Sequence, residues 1–389
     1  MQEIYLDNGA TTRPSDGVIA KMTEAMAQAY GNPSSLHRKG QQAEKYVEEA
    51  RKIIAQYLGV DPTTLYFTSG GTECSNTAIL GAAQRNLRRG KHILTVRGEH
   101  PATSEPLKLL ASQGYEVEYV ENDEQGKVCL ESLKEKLRPD TILVTCLHVN
   151  NETGVIQPIE AMGKIIKEGN PETLFHVDAV QSFAKLPVKP VEWKVDFLSS
   201  SAHKFHGPKG IGCLYIRRGL TVQPFIRGGG QEKKMRSGTE NVPGIAGMGQ
   251  AVKEAMEDLQ GHTQQVQHLK MHLYQQIINK IPDVKVNGPT PEDGAAHVLN
   301  LQFLNVRSEV LLHSLEDYGI FISSGSACAS NKPEEKSPAL SAIGLNRNEM
   351  DQSVRFSFSR YNTMEEMDQT AEALAKVVPM LRRYVRRNR

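Results

Sequence analysis

Lys204 stands in Ser199-Ser200-Ser201-Ala202-His203-Lys204-Phe205-His206-Gly207-Pro208-Lys209-Gly210, between two histidines and among small residues. An amine there can approach a carbonyl closely, and partial removal from water keeps some of it neutral, the two conditions for Schiff-base chemistry. A polar turn carrying a solvated lysine would look the same, so the meaning of the run rests on its company. Ser69-Gly70-Gly71-Thr72 is a glycine turn opening a helix, where free N–H groups and the positive end of the dipole suit a phosphate, although many such turns bind nothing. His100, Asn151, Asp178, Gln181, Ser201 and His203 all lie near the ends of apolar runs. Cys328 lies far downstream, in Ser324-Gly325-Ser326-Ala327-Cys328-Ala329-Ser330-Asn331-Lys332. These neighbours describe an exposed loop in which a thiolate can act as a nucleophile, whereas a buried structural cysteine is the usual alternative.

The apolar pattern supplies elements to position these groups. Val18, Met22, Ala25, Met26 and Ala29 recur at helical spacing, Gly31-Asn32-Pro33 breaks that helix, and Gln41 to Leu58 predicts a second, closed by Gly59. Leu65 to Thr68 reads as a strand and Glu73 to Arg89 as a helix. Predicted strands at 92–96, 117–120, 141–147 and 174–177 then alternate with helices at 103–113, 130–137 and 159–168. Thr141 to Leu147 is almost continuously apolar, as expected of a parallel strand covered on both faces. The alternation predicts an α/β chain with a doubly wound sheet, in which the carboxyl ends of the strands form one ligand crevice. Asp7 to Thr12 reads equally as the lining of a cleft or as a surface turn.

Ile211 to Ile216 is expected to be antiparallel, and Gly228 to Asn241 a long functional loop. Residues 245–281 are mostly helical. Leu299 to Phe303, Ile320 to Ser323 and Arg355 to Phe358 follow as strands, with helices at 308–318 and 364–384. The 389-residue length predicts a large domain, 15–257, and a smaller one, 1–14 with 258–389, bearing the cysteine loop at about 323–338.

A formal net charge of +1 gives no overall pull toward nucleic acid or membrane. The five cysteines are widely spaced and form no CxxC pair, which argues against a disulfide framework or a zinc site and for a reducing compartment. The amino terminus has neither the basic nor the apolar region of a leader, and no apolar run approaches membrane-spanning length. The expectation is a cytoplasmic protein with no metal, no membrane contact and no direct nucleic-acid binding.

Tyr5-Leu6-Asp7-Asn8-Gly9-Ala10-Thr11-Thr12, Thr68-Ser69-Gly70-Gly71-Thr72-Glu73, His148-Val149-Asn150-Asn151-Glu152, His176-Val177-Asp178-Ala179-Val180-Gln181, Ser201-Ala202-His203-Lys204, Met235-Arg236-Ser237-Gly238-Thr239 and Ser323-Ser324-Gly325-Ser326-Ala327-Cys328 together resemble the NifS/IscS-like cysteine desulfurases. The resemblance runs over nearly the whole chain, in order. It implies the aspartate aminotransferase-like fold type I of transferases dependent on pyridoxal 5'-phosphate: a large domain with a mostly parallel mixed sheet and a smaller α+β domain. It implies that Lys204 anchors the cofactor and moves the substrate Cα proton, that Asp178 pairs with the ring nitrogen, and that Gln181 bonds the phenolic oxygen. His100 would stack on the ring and serve as acid or base near neutral pH. Gly71, Thr72, Ser201 and His203 would hold the phosphate, and Thr239 would reach the phosphate of a neighbouring subunit, which implies a homodimer. Asn151, also counted with the cofactor, and Arg355 would bind the substrate carboxylate. Cys328 would take the sulfur of L-cysteine as a persulfide, leaving L-alanine, and pass it to an acceptor protein serving iron-sulfur clusters, tRNA thiolation or another cofactor.

Two departures stand out. The segment after Cys328 is about one residue longer than the housekeeping pattern. The arginine-rich end stops early, whereas members that dock an iron-sulfur scaffold use a longer tail. Three rivals keep distinct signatures. A selenocysteine lyase would share the fold and the lysine, an aminotransferase would make pyruvate without sulfur transfer, and a non-catalytic binding protein should have lost Lys204 or Asp178.

Overall fold

A computed structural model describes residues 3–324 and 337–387 of the chain, with side chains to residue 383; Cys328 lies outside the described residues. The chain begins with β1 (Ile4–Tyr5), then α1 (Asp16–Gln28) and α2 (Arg38–Leu58). Ser15 caps α1 by accepting from the Val18 N–H at 3.1 Å, and Gly59 closes α2 in the left-handed conformation at φ 65°. The alternating run follows: β2 (Leu65–Thr68), α3 (Gly71–Arg85), β3 (His92–Val96), α4 (Pro101–Ser112), β4 (Glu116–Val120), α5 (Leu130–Lys136), β5 (Thr141–Leu147), α6 (Ile159–Gly169), β6 (Leu174–Asp178), β7 (Phe197–Ser201) and β8 (Gly212–Ile216). The helix after the glycine turn thus starts two residues before the expected Glu73 and ends at Arg85, not Arg89. Asn86 closes it as the C-cap, its N–H bonding the Ala82 carbonyl.

These strands make a seven-stranded sheet in the order β2-β8-β7-β6-β5-β3-β4, in which only β8 runs antiparallel to its neighbours. The five strands from β3 to β8 across its middle are buried along their whole length, as two covered faces require, while edge strand β4 exposes Glu116 and Tyr119. Alternation along each strand divides the apolar residues: Phe197 and Ile93 face a cluster under α3 and α4, while Leu198 and Leu94 face one under α1, α2, α6 and α7 (Val242–Glu257).

The predicted helix over 245–281 is two helices, α7 and α8 (Leu259–Lys280), broken at Asp258. Beyond them come β9 (Val284–Val286), β10 (Val298–Phe303), α9 (Ser308–Glu316), β11 (Ile320–Phe321), β12 (Ser323–Ser324), α10 (Pro338–Ala342), α11 (Arg347–Met350), β13 (Ser353–Ser357) and α12 (Met364–Arg387). The single strand expected over 320–323 serves two sheets: β11 pairs with β1 in parallel, whereas β12 pairs antiparallel with β13 in the sheet β12-β13-β10-β9. A separate apolar cluster joins Ile4 and Leu6 to residues from 266 to 378. The chain from Ile4 thus runs beside β11, meets the end of β13 at a bridge between Asp7 and Ser357, and then crosses toward the carboxyl ends of the large sheet.

Candidate active site

The strands of the large sheet end together. β2 delivers the turn Ser69-Gly70, β3 leads to Glu99 and His100, β5 to Asn151, β6 ends at Asp178 and β7 at Ser201, with Lys204 closing the next short turn. Asp178 pairs in register with Leu147 and Ser199 and accepts from the Val180 N–H at 2.9 Å. Burial raises its carboxyl to about 6 against that hydrogen bond and the field of Lys204. Beneath it a buried chain of side chains crosses the sheet: Thr145 Oγ1 to His176 Nδ1 at 2.8 Å, His176 Nε2 to Ser199 Oγ at 2.8 Å, and Ser199 to Ser75 at 3.1 Å.

The amino-terminal segment turns out to line the cleft. Lys204 Nζ donates to the carbonyls of Gly9 and Ala10, each at 2.8 Å, and Gln181 Nε2 donates to the same Gly9 carbonyl at 2.9 Å. The other end of the Gln181 amide accepts from Lys185 at 3.5 Å. His203 Nδ1 lies 3.2 Å from Thr11 Oγ1. Burial and the charge of Lys204 lower its imidazole to about 4.

Arg355, buried on β13, donates through Nη1 to the Asn151 carbonyl at 2.8 Å and through Nη2 to the Asp7 carboxylate at 2.7 Å. Its Nε is enclosed without a partner, a donor left over for an acceptor that the described chain does not supply. His100 is the N-cap of α4, its Nδ1 accepting from the Ala102 N–H at 3.1 Å. Its ring stays open to the cleft, yet the surrounding chain and Lys204 push it down to about 4. In the cofactor-free chain it is therefore neutral at pH 7. Next to it, Glu99 accepts from the Leu147 N–H at 3.0 Å, and burial near Asp178 holds its carboxyl well above the usual range.

A phosphate fits the turn before α3. Gly70 offers no side-chain cap, and the N–H groups of Gly71, Thr72 and Glu73 have no partner among the described residues. A Cβ at Gly71 would stand 2.6 Å from Val180 Cγ2 and 3.6 Å from Ser201 Cβ, so the turn closes against the ends of β6 and β7 only as glycine. Glu73 fixes it by accepting from the Ser69 N–H at 2.9 Å and from Arg236 at 3.1 Å. Thr72 is exposed, and so is Thr239, which shares a cavity of about 220 Å³ with Ser69 and Arg236 rather than with Lys204.

The Thr239 loop is held from behind. Arg51 makes a double hydrogen bond to Glu232 at 2.8 and 3.1 Å, both side chains nearly inaccessible, and Glu232 also accepts from the Phe67 N–H. Glu232, Lys233 and Lys234 all take left-handed backbone angles, which non-glycine residues rarely do.

The sequence left Asp7 to Thr12 open between cleft lining and surface turn, and the structure decides for the cleft through Asp7 and the carbonyls of Gly9 and Ala10. Sequence reasoning missed Lys185, Glu99 and the Arg51–Glu232 pair as parts of this neighbourhood. Lys185 lies four residues after Gln181, a usable hint, but the partners of Asp7 are more than 300 residues away.

Residues 4–370 match the family model for class-V aminotransferases. The chain is 41% identical to the cysteine desulfurase IscS of Dictyoglomus turgidum over 381 residues, covering 98% of this chain and 96% of that one. A solved NifS-like protein superposes with a TM-score of 0.92 at 38% identity, covering 97% of this chain and all of the other. The structure of SspA in complex with cysteine does so at 0.80 and 34% identity, over 93% of this chain and all of that one. Fold and relatedness agree over nearly the whole length, and the chain belongs to the class-V aminotransferase family, among its cysteine desulfurases.

Proposed function

We propose that the protein removes sulfur from L-cysteine with pyridoxal 5'-phosphate held at Lys204, forming L-alanine and a persulfide on Cys328. The observation that carries this reading is the convergence of Lys204, Asp178 and the uncapped α3 turn on one crevice, with the spare Nε of Arg355 nearby. When bound, the cofactor supplies an electron sink that labilises the bonds at the substrate Cα and Cβ. In this reading the N–H groups at Gly71 and Thr72, with Ser201 and His203, hold its phosphate, and ionised Asp178 faces its ring nitrogen. Gln181 would donate to its phenolic oxygen, and neutral His100 would lie against the ring. Arg355 and Asn151 orient the substrate carboxylate. Lys204, which would hold the cofactor, would also take the substrate Cα proton.

The Cys328 thiolate attacks the substrate sulfur: the substrate Cβ–S bond breaks, a sulfur–sulfur bond forms, and the Cβ carbon gains a proton to become the methyl of alanine. We further propose a homodimer in which Thr239 reaches the neighbouring site, an acceptor protein for iron-sulfur or tRNA-thiolation sulfur, a cytoplasmic location, and large and small units at 15–257 and at 1–14 with 258–389. The separate apolar clusters support that division.

Alanine release from L-cysteine in Cys328→Ser, measured with the visible spectrum of the bound cofactor, is the test. The expected result is an intact spectrum with alanine and sulfide production lost; production at the parent rate removes Cys328 as the nucleophile.

A further inference from the structure

A second cavity, of about 600 Å³, lies between the start of α6 and the turn carrying Trp193, and it shares no lining residue with the Lys204 site. His148 forms part of its wall. The side chain is only 5% exposed, its Nδ1 is enclosed without a partner, and its ring meets Trp193 edge-on at 5.0 Å. Burial keeps the imidazole neutral, lowering it to about 4. Of the two neutral tautomers, the one with the proton on Nε2, which makes no hydrogen bond to a described residue, offers a donor to an anion. Pro158 gives α6 no side-chain cap, so the N–H groups of Glu160 and Ala161 also lack partners.

The charges around the cavity favour an anion of low charge. Lys164 and Lys194 are exposed and make no ion pair among the described residues, while Glu192 is engaged by Lys189 at 3.0 Å. Two free cations against the single free acid, Glu160, leave one net positive charge. A monocarboxylate matches that, whereas a phosphate ester would meet Glu160 with excess charge. Trp193 adds a flat apolar wall.

We propose that this cavity binds a small monocarboxylate with an apolar body, its carboxylate on the α6 N–H groups, His148 and the two lysines, and its body against Trp193. The site is independent of the desulfurase reading. Trp193 is the only tryptophan in the chain, so tryptophan fluorescence reports on this cavity alone. Titration of the holoenzyme with phenylacetate should give a saturable change with a Kd on the order of 1 mM, as expected for a ligand of this size. Phenylacetamide, uncharged but similar in shape, should bind at least about tenfold more weakly. The Lys164→Ala/Lys194→Ala variant, with desulfuration unchanged, should lose about the same factor. The proposal is overturned by the absence of a saturable change, by equal affinity for acid and amide, or by an unaltered double variant.

Discussion

Lys204 and Gln181 donate to one and the same acceptor, the carbonyl of Gly9, at 2.8 and 2.9 Å. Two residues that follow the neighbouring strands β6 and β7 are thereby referenced to the amino-terminal segment, which β1 and Ser357 hold in place. A Cβ at Gly9 would lie 3.0 Å from Ser357 Oγ and 3.3 Å from Arg355 Cζ, too close to be absorbed without a shift. Gly9→Ala is expected to weaken cofactor binding and raise the KM for cysteine by roughly tenfold each, about 1.4 kcal/mol. Equilibrium titration of the apo protein and steady-state kinetics check this, and parent values for both would show that the carbonyl does not position the site.

Asp178 gives a pH-dependent signature. Its folded carboxyl is raised from 3.8 to about 6, so the folded cofactor-free chain holds the proton more tightly than the unfolded one. Its contribution to stability is complete below the unfolded value and is lost as pH rises through about 6. Asp178→Asn should therefore make the apo protein about 1–3 kcal/mol more stable at pH 7 and flatten its stability between pH 4 and 6, while cofactor affinity collapses. Denaturant unfolding across that pH range, with and without cofactor, separates the two effects.

Arg355 presents its fork to Asn151 and Asp7 and keeps Nε spare. Arg355→Lys keeps the charge but not the planar donor set, so the KM for L-cysteine should rise by roughly 10- to 100-fold, the worth of one or two charged hydrogen bonds. Cofactor absorbance should be unchanged. An unchanged KM would place the substrate carboxylate elsewhere.

Glu232→Ala removes the double partner of the buried Arg51 guanidinium and leaves it Glu48 at 3.0 Å and the Leu65 carbonyl at 2.7 Å, so the cost is expected near the low end for a broken buried pair, about 3 kcal/mol. Thermal unfolding should show a clear fall in midpoint, and the released 232–234 turn should lower cofactor retention as well. A midpoint within a degree or so of the parent would mean that water replaces the carboxylate at no cost.

Much of this molecule is written locally. The apolar run Thr141 to Leu147 determined a doubly covered strand, Gly59 marked a helix end, and the glycine turn before α3 marked a helix start with free N–H groups, because each depends on neighbours within a few residues. The motif order also determined the family, since the chemistry of Lys204, Asp178 and Cys328 requires those side chains whatever surrounds them.

Contacts between distant segments were decided only by the tertiary structure. Nothing near Asp7 in the chain announces Arg355, 348 residues away, and nothing near Arg51 announces Glu232. The neutral state of His100 is likewise a property of the assembled cleft, since desolvation and the field of Lys204 act through space and leave no trace in the order of residues. The lysine that the sequence offered as a flexible amine is, in the folded chain, a donor fixed between two carbonyls of a segment almost 200 residues earlier.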